Sequence, residues 1–328
     1  MTLRHSQITG WGKYVPETVL TNAELEALVD TSDEWIVART GIKERRIASE
    51  DETCSSMAVS AAQDALSVAN LTPADIDLII VATSSPDYLL PIVSSTIQDQ
   101  LQASCPAFTL VTGCTGFVYG VATAHQFIAT GAFNHILIIG VELISRFVDW
   151  TDRNTCVLFG DAAGAIVLSG SDRPTGVKAF DLGSDGSKGK ELILPGVGSN
   201  MKIDQAMIER GDQYIKMNGR EVFKFATRVV PHTTQAVLEK ANLTLDDIDL
   251  LLPHQANVRI INAARERLGL PAEKVYINAH KYGNTSAASI PVAMIEALQE
   301  GRIQKGDLLC MVSFGGGLTW ASALVEWG

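Results

Sequence analysis

The chain has little that would tie it to a metal, a membrane or a nucleic acid. Its 328 residues include five cysteines, an odd number with no Cys-x-x-Cys pair and no cysteine–histidine cluster at zinc-ligand spacing. A disulfide framework and a zinc knuckle are therefore not expected; reduced thiols in a cytosolic protein are. Long apolar runs are missing too. The most apolar stretches, Leu78 to Ala82 and His135 to Val141, are far too short to cross a bilayer, and MTLRHSQITGWGKYVPE has no apolar segment leading to a cleavage site. A cytoplasmic location without membrane contact is expected. Positive charge is in deficit, 26 Lys and Arg against 37 Asp and Glu, net −11, so the average surface repels a nucleic-acid backbone. No low-complexity tract or interdomain linker appears. What is present is 46% hydrophobic and 19% charged residues, the balance of a compact chain with a sizeable core.

Internal similarity is the most informative feature. Residues 69–83 read ANLTPADIDLIIVAT and residues 241–255 read ANLTLDDIDLLLPHQ. Each follows an apolar-periodic helix, expected at about 56–69 and about 222–241, and each enters a short apolar run that reads as a buried strand. A second pair, VLFGDAAGAIVL (157–168) and MVSFGGGLTWASALV (311–325), reads twice as strand, Gly-rich turn, strand. The pattern predicts a duplicated α/β unit. Strands near 77–83, 107–112 and 135–141 alternate with helices near 56–69, 93–102 and 114–130. In the second half, strands near 248–253, 274–278 and 308–313 alternate with helices near 222–241, 257–268 and 287–300. Such alternation predicts mainly parallel sheets covered by helices. The boundary is expected near 172/173, giving halves 1–172 and 173–328, with a loop-dominated stretch carrying short strands at about 171–218. A site between the halves follows, because pockets favour such junctions.

Three polar residues fall at corresponding turns. Cys114, in VTGCTGFVYG, ends a β-rich run where a helix begins; backbone N–H groups and the helix dipole there favour thiolate and predict a lowered pKa. The other cysteines read as small buried hydrophobes, a reading also open to Cys114. His254, in LLLPHQANVRI, emerges at the C-terminal end of a strand, the edge where open α/β sheets bind ligands. Asn284, in HKYGNTSAASIP, lies between a strand and a helix start, which also suits a plain cap. Alone, each admits a structural role; the repeat brings all three towards one place. Gly315, Gly316 and Gly317 expose backbone N–H groups suited to an oxyanion hole or to a tight turn, and they do not match a Gly-x-Gly-x-x-Gly fingerprint.

With VDTSDEWIVARTGIKERRIA (29–48), GCTGF, FGDAAGAIVL, LLLPHQANVRI, YGNTSAAS and FGGGLTW in this order, the chain resembles β-ketoacyl-acyl-carrier-protein synthase III, an initiating condensing enzyme of the thiolase-like superfamily. The resemblance implies a layered helix–sheet–helix–sheet–helix α/β fold, a homodimer, and no cofactor beyond the CoA thioester substrate. It implies a Cys114–His254–Asn284 triad. Cys114 takes the acyl group from acyl-CoA, with backbone N–H groups of Cys114 and Gly316 as oxyanion hole, while His254 and Asn284 hold the enolate formed from malonyl-acyl carrier protein. CoA contacts fall on Trp35 and Arg39 at the adenine, Arg153 near the phosphate, and Thr31, Gly219, Phe223 and Asn257 along the tunnel. Trp35 also fits a packing role.

Carrier-protein docking falls on Arg259, supported by Lys224, Arg265 and Arg267, although Glu266 stands where the family has a basic residue. A solvated helix face is the other reading of that patch. Leu90 replaces the phenylalanine that in better-known members closes the partner's acyl pocket. Acetyl is thus the expected starter, with tolerance for slightly larger acyl groups. The alternatives are a polyketide or quinolone starter enzyme, an acyl-thioester hydrolase, and a silent carrier-protein scaffold.

Overall fold

A computed structural model describes residues 4–196, 198–200 and 203–328. Residues 1–3 of the opening segment, and 197, 201 and 202 of the 171–218 stretch, lie outside the described residues. Two mixed sheets form the frame. The first runs His5–Tyr14, Ala162–Ser171, His135–Glu142, Leu78–Ala82, Ala107–Leu110 across its width; the second runs Leu250–Pro253, Leu308–Gly315, Thr319–Glu326, Gly176–Ser184.

Period-two alternation explains how each strand serves two layers. Leu78 and Ile80 face inward with Ile136, Ile138 and Ile166, packing on Phe117, Val118 and Val121 of the helix Gly116–Ala129 and on Ile290, Ala293 and Met294 of the helix Ser289–Gln299. Leu250, Leu252, Leu309 and Met311 of the second sheet meet the same two helices from the other side. Ile79, Val81, Leu137 and Ile139 face outward onto the helix Cys54–Ala69. On the far side Leu251, Cys310 and Val312 meet the helices Gly219–Ala241 and Val258–Leu268. Each fully buried Leu or Ile here adds about 1.5–3 kcal/mol of hydrophobic stabilisation. The result is five layers, helix–sheet–helix–sheet–helix.

The repeated ANLT segments fold alike. Asn70 and Asn242 end their helices in the left-handed region, at φ 55° and 54°, which asparagine tolerates better than most residues. Thr72 and Thr244 then form capping boxes with Asp75 and Asp247 before the strands begin.

The structure corrects four expectations. The sheets are mixed: Ala162–Ser171 and Thr319–Glu326 each pair antiparallel on both sides; a short Gly-rich turn joins Leu308–Gly315 to Thr319–Glu326, and the other three pairings bring together strands distant in the chain. Residues 274–278 form no strand. One bridge joins Leu251 to Val275; beyond it the Gln255 side chain binds the Tyr276 carbonyl and the Asn278 and Ala279 N–H groups, substituting for a ladder. The first strand expected in 157–168 is instead a turn ending in a single bridge from Phe159 to Asn284. Finally, the stretch 171–218 contains a nine-residue strand, Gly176–Ser184, within the second sheet.

Candidate active site

The Cys114 turn is held from both halves. Gly113 takes φ 60°, a region glycine enters at no steric cost. A short 3₁₀ turn, Gly113–Thr115, feeds the helix Gly116–Ala129. Ser313 Oγ donates to the Cys114 carbonyl at 2.7 Å, and Thr115 Oγ1 meets Thr319 Oγ1 at 3.1 Å. The glycine run packs directly underneath: a Cβ on Gly315 would lie 2.6 Å from the Cys114 nitrogen, and one on Gly113 would lie 3.0 Å from the Gly316 nitrogen. Only glycine allows that approach. The expected lowering of the Cys114 pKa is overturned. Burial pushes the thiol up to about 12, with the nearby Glu142 acting the same way, against stabilising hydrogen bonds from Ser286 and the backbone. Desolvation is the largest influence on this thiol.

His254 is 2% exposed at the end of Leu250–Pro253. Its N–H bonds the Val312 carbonyl and its ring meets Phe314 edge-on, centroids 5.5 Å apart. Nδ1 lies 2.7 Å from Ser289 Oγ, and burial drops the pKa to about 3, so the imidazole is neutral at physiological pH. Asn284 accepts the Ser286 N–H at Oδ1, 2.9 Å away. This fixes the carboxamide and leaves its NH₂ available as a donor. Cys114, His254, Asn284, Phe314 and Gly315 line the end of one cavity of about 610 Å³, within the usual range of small-molecule sites.

The cavity opens past Leu192, Met217, Gly219 and Phe223 to Trp35, Arg39, Asn257 and Arg259. Asn257 caps the helix Val258–Leu268, accepting the Arg259 N–H at 2.8 Å, and donates to the Arg39 carbonyl at 3.1 Å, tying the two sides of the mouth. Trp35 carries two guanidinium groups, Arg153 at 4.7 Å and Arg39 at 5.5 Å from its ring. Arg153 also pairs with Asp30 at 3.5 Å. Exposed Arg259 lies 5.8 Å from the Phe223 ring.

Of the other expected residues, only Lys224 reaches the cavity wall. Thr31 is half-buried, its Oγ1 without a partner among the described residues. Lys224, at the rim, is paired with Glu221 at 2.6 Å. Arg265 is bound to Glu266 at 3.4 Å, and Arg267 donates to the Thr227 carbonyl at 2.7 Å. Leu90 is 82% exposed beside exposed Tyr88 and Leu89.

Sequence reasoning missed Ser286, Ser289 and Glu142. Both serines lie in the YGNTSAAS motif, two and five residues beyond Asn284. Glu142 had a signal of its own: a lone acid closing the apolar run HILIIGVE. It is fully buried and takes hydrogen bonds from the Ser84 N–H and the Ser85 and Thr83 hydroxyls, with the Ser286 hydroxyl also in reach.

The five-layer arrangement defines the class, a thiolase-like fold. Models of 3-oxoacyl-[acyl-carrier-protein] synthase III match residues 108–186, and of its C-terminal part residues 238–327. The β-ketoacyl-[acyl-carrier-protein] synthase III of Symbiobacterium thermophilum is 52% identical over 329 residues, covering 100% of each chain. That of Caldanaerobacter subterraneus is 51% identical, covering 98% of this chain and 97% of the relative. The crystal structure of the Thermus thermophilus synthase III superposes with a TM-score of 0.92 at 48% identity, covering 98% of this chain and 99% of that one. The chain belongs to the β-ketoacyl-[acyl-carrier-protein] synthase III family. It is an acyl-transferring condensing enzyme of fatty-acid synthesis. No described helix is long and apolar enough to cross a membrane.

Proposed function

We propose that the protein joins an acyl-CoA starter, acetyl-CoA first, to malonyl-acyl carrier protein through an acyl-Cys114 intermediate. The observation that carries this reading is the meeting of Cys114, His254 and Asn284 at the end of one cavity whose mouth bears Trp35 and Arg39. The Cys114 sulfur attacks the thioester carbonyl. The tetrahedral oxyanion is held by backbone N–H groups of Cys114 and Gly316, and the CoA sulfur leaves. Malonyl-carrier protein then loses carbon dioxide, and the charge moving onto its thioester oxygen is met by His254 and Asn284.

Both donors suit that task. A Ser289 hydroxyl that donates to Nδ1, 2.7 Å away, leaves the proton of neutral His254 on Nε2, and Asn284 presents its NH₂ because Oδ1 is engaged. The enolate carbon then attacks acyl-Cys114, giving the 3-ketoacyl product and free thiol. The charge that develops on the carbonyl and enolate oxygens is met by N–H donors of the chain, so the sequence of steps calls for no cofactor. A hydrolase would need a group to activate water, and a neutral, weakly basic imidazole beside a carboxamide suits enolate better.

Trp35, Arg39, Arg153, Thr31, Gly219, Phe223 and Asn257 are read as the CoA path. Arg259 is the docking residue for the acidic carrier protein, since it is exposed at the mouth and has no acidic partner among the described residues. Lys224, Arg265 and Arg267 are weaker candidates because each is engaged within the chain. The halves 1–172 and 173–328 are read as the duplicated units. A homodimer is supported by the exposed Tyr88, Leu89 and Leu90, with Leu90 reaching the partner's acyl pocket and leaving room for starters beyond acetyl. The test is mass spectrometry after incubation with acetyl-CoA: an acetyl adduct on the Cys114 peptide, absent in C114A, is expected. A modification elsewhere, or none, overturns the reading.

A further inference from the structure

Glu142 ends an otherwise apolar strand, has no exposed surface, and has no ion-pair partner among the described residues. A buried carboxylate without a cation is expensive to keep. Hydroxyl groups surround it instead. One of them, Ser286 Oγ, stands between two titratable groups, 3.0 Å from Glu142 Oε1 and 3.3 Å from Cys114 Sγ. Its single proton can serve only one of them at a time, so the state of the carboxyl and the state of the thiol are coupled.

We propose that Glu142 receives the Cys114 thiol proton, passed through the Ser286 hydroxyl, while the enzyme is acylated; this rests on Cys114 being the nucleophile. As the Sγ–C bond to the acyl carbonyl forms, the S–H bond breaks and its proton goes to Ser286 Oγ. The hydroxyl's own proton moves to Glu142 Oε1. When the C–S bond to CoA breaks, the carboxyl returns a proton through the same hydroxyl to the departing CoA sulfur. Glu142 is left ionised and CoA leaves as a thiol. Ser286 touches the reacting sulfur; Glu142 acts through it as a positioning residue.

Two further observations agree. Burial raises the Glu142 pKa to about 7, poised to exchange a proton near neutrality. His254, the other candidate acceptor, is held to about 3 by burial with Nδ1 engaged by Ser289. The titratable groups facing Glu142 are Cys114 and, across Thr83, Cys54, whose own pKa burial raises.

The test is the rate of Cys114 alkylation by iodoacetamide against pH, resolved by peptide mass spectrometry. The wild type should rise in two steps, the lower near pH 7 as Glu142 ionises and the upper as the thiol itself ionises. E142Q keeps the side-chain volume but accepts no proton. It should lose the lower step and react about tenfold or more slowly at neutral pH. S286A should do the same, and the double variant should be no slower than either single one. Thermal melts identify the folded variants, and if one does not fold the other decides. A lower step that persists at wild-type rate in a folded variant overturns the relay. Failure of wild-type acetylation would instead overturn the nucleophile reading, so the two outcomes are distinct.

Discussion

Replacing Ser289 by alanine separates the two half-reactions. Ser289 Oγ is 2.7 Å from His254 Nδ1, and His254 is 2% exposed. Alanine leaves a buried ring nitrogen without its partner, a loss of about 1–3 kcal/mol. For a chain of this length, melting should fall by ~1–2 °C for each kcal/mol lost. Freed from Ser289, the ring no longer favours the tautomer with its proton on Nε2, so the enolate donor weakens. Deleting such a donor outright costs ~10²–10³ in rate, and a loosened one should lose about 10- to 100-fold. The assay follows carbon dioxide release from malonyl-carrier protein and, separately, acetyl transfer from acetyl-CoA to Cys114. Decarboxylation should slow while acetyl transfer keeps its rate. Equal slowing of both steps, or of neither, refutes the assignment of His254 to the enolate.

Arg259→Glu should raise KM for malonyl-carrier protein by ~10-fold or more, leaving acetyl transfer to Cys114 unchanged; steady-state kinetics with each substrate varied in turn reads this. Gly315→Ala would press a methyl to 2.6 Å from the Cys114 nitrogen; the turn must shift, and acetyl transfer should fall by ~10²-fold at modest loss of melting temperature. The pH dependence of stability has a definite sign. Glu142 is raised from 4.5 to about 7 in the folded state, so its contribution is full below about pH 4.5 and is lost as pH rises through about 7, up to roughly 3 kcal/mol. His254 runs the other way: held to about 3, it lowers stability as pH falls below 6.5. Melts of E142Q against wild type should therefore diverge in favour of the variant between about pH 4.5 and about pH 7.

Much of this was legible in the residues. The like folding of the two ANLT segments was legible because asparagine at a left-handed cap, a Thr–Asp box and an apolar strand are all local signals. The Cys114 turn was legible for the same reason, with glycines marking where backbone must approach backbone. Sheet pairing was not, since whether the strand Ala162–Ser171 lies parallel or antiparallel depends on where the chain returns. Residues 274–278 were read as a strand because their composition suits one, and a distant Gln255 side chain takes its place in the ladder. The thiol's acidity was misjudged for a related reason: a helix start is visible in sequence, but the desolvation that opposes it comes from neighbours remote in the chain. Ser286, beside Asn284, carries no signal of its own in the sequence; its contacts with Cys114 and Glu142 come from the fold.

Rapid-quench analysis of acetylated enzyme mixed with malonyl-carrier protein bears most directly on the whole account. The acetyl group on Cys114 should disappear at the rate at which 3-ketobutyryl-carrier protein appears, mole for mole, with free acetate absent. Acetate appearing at the same rate with or without the malonyl partner would contradict it.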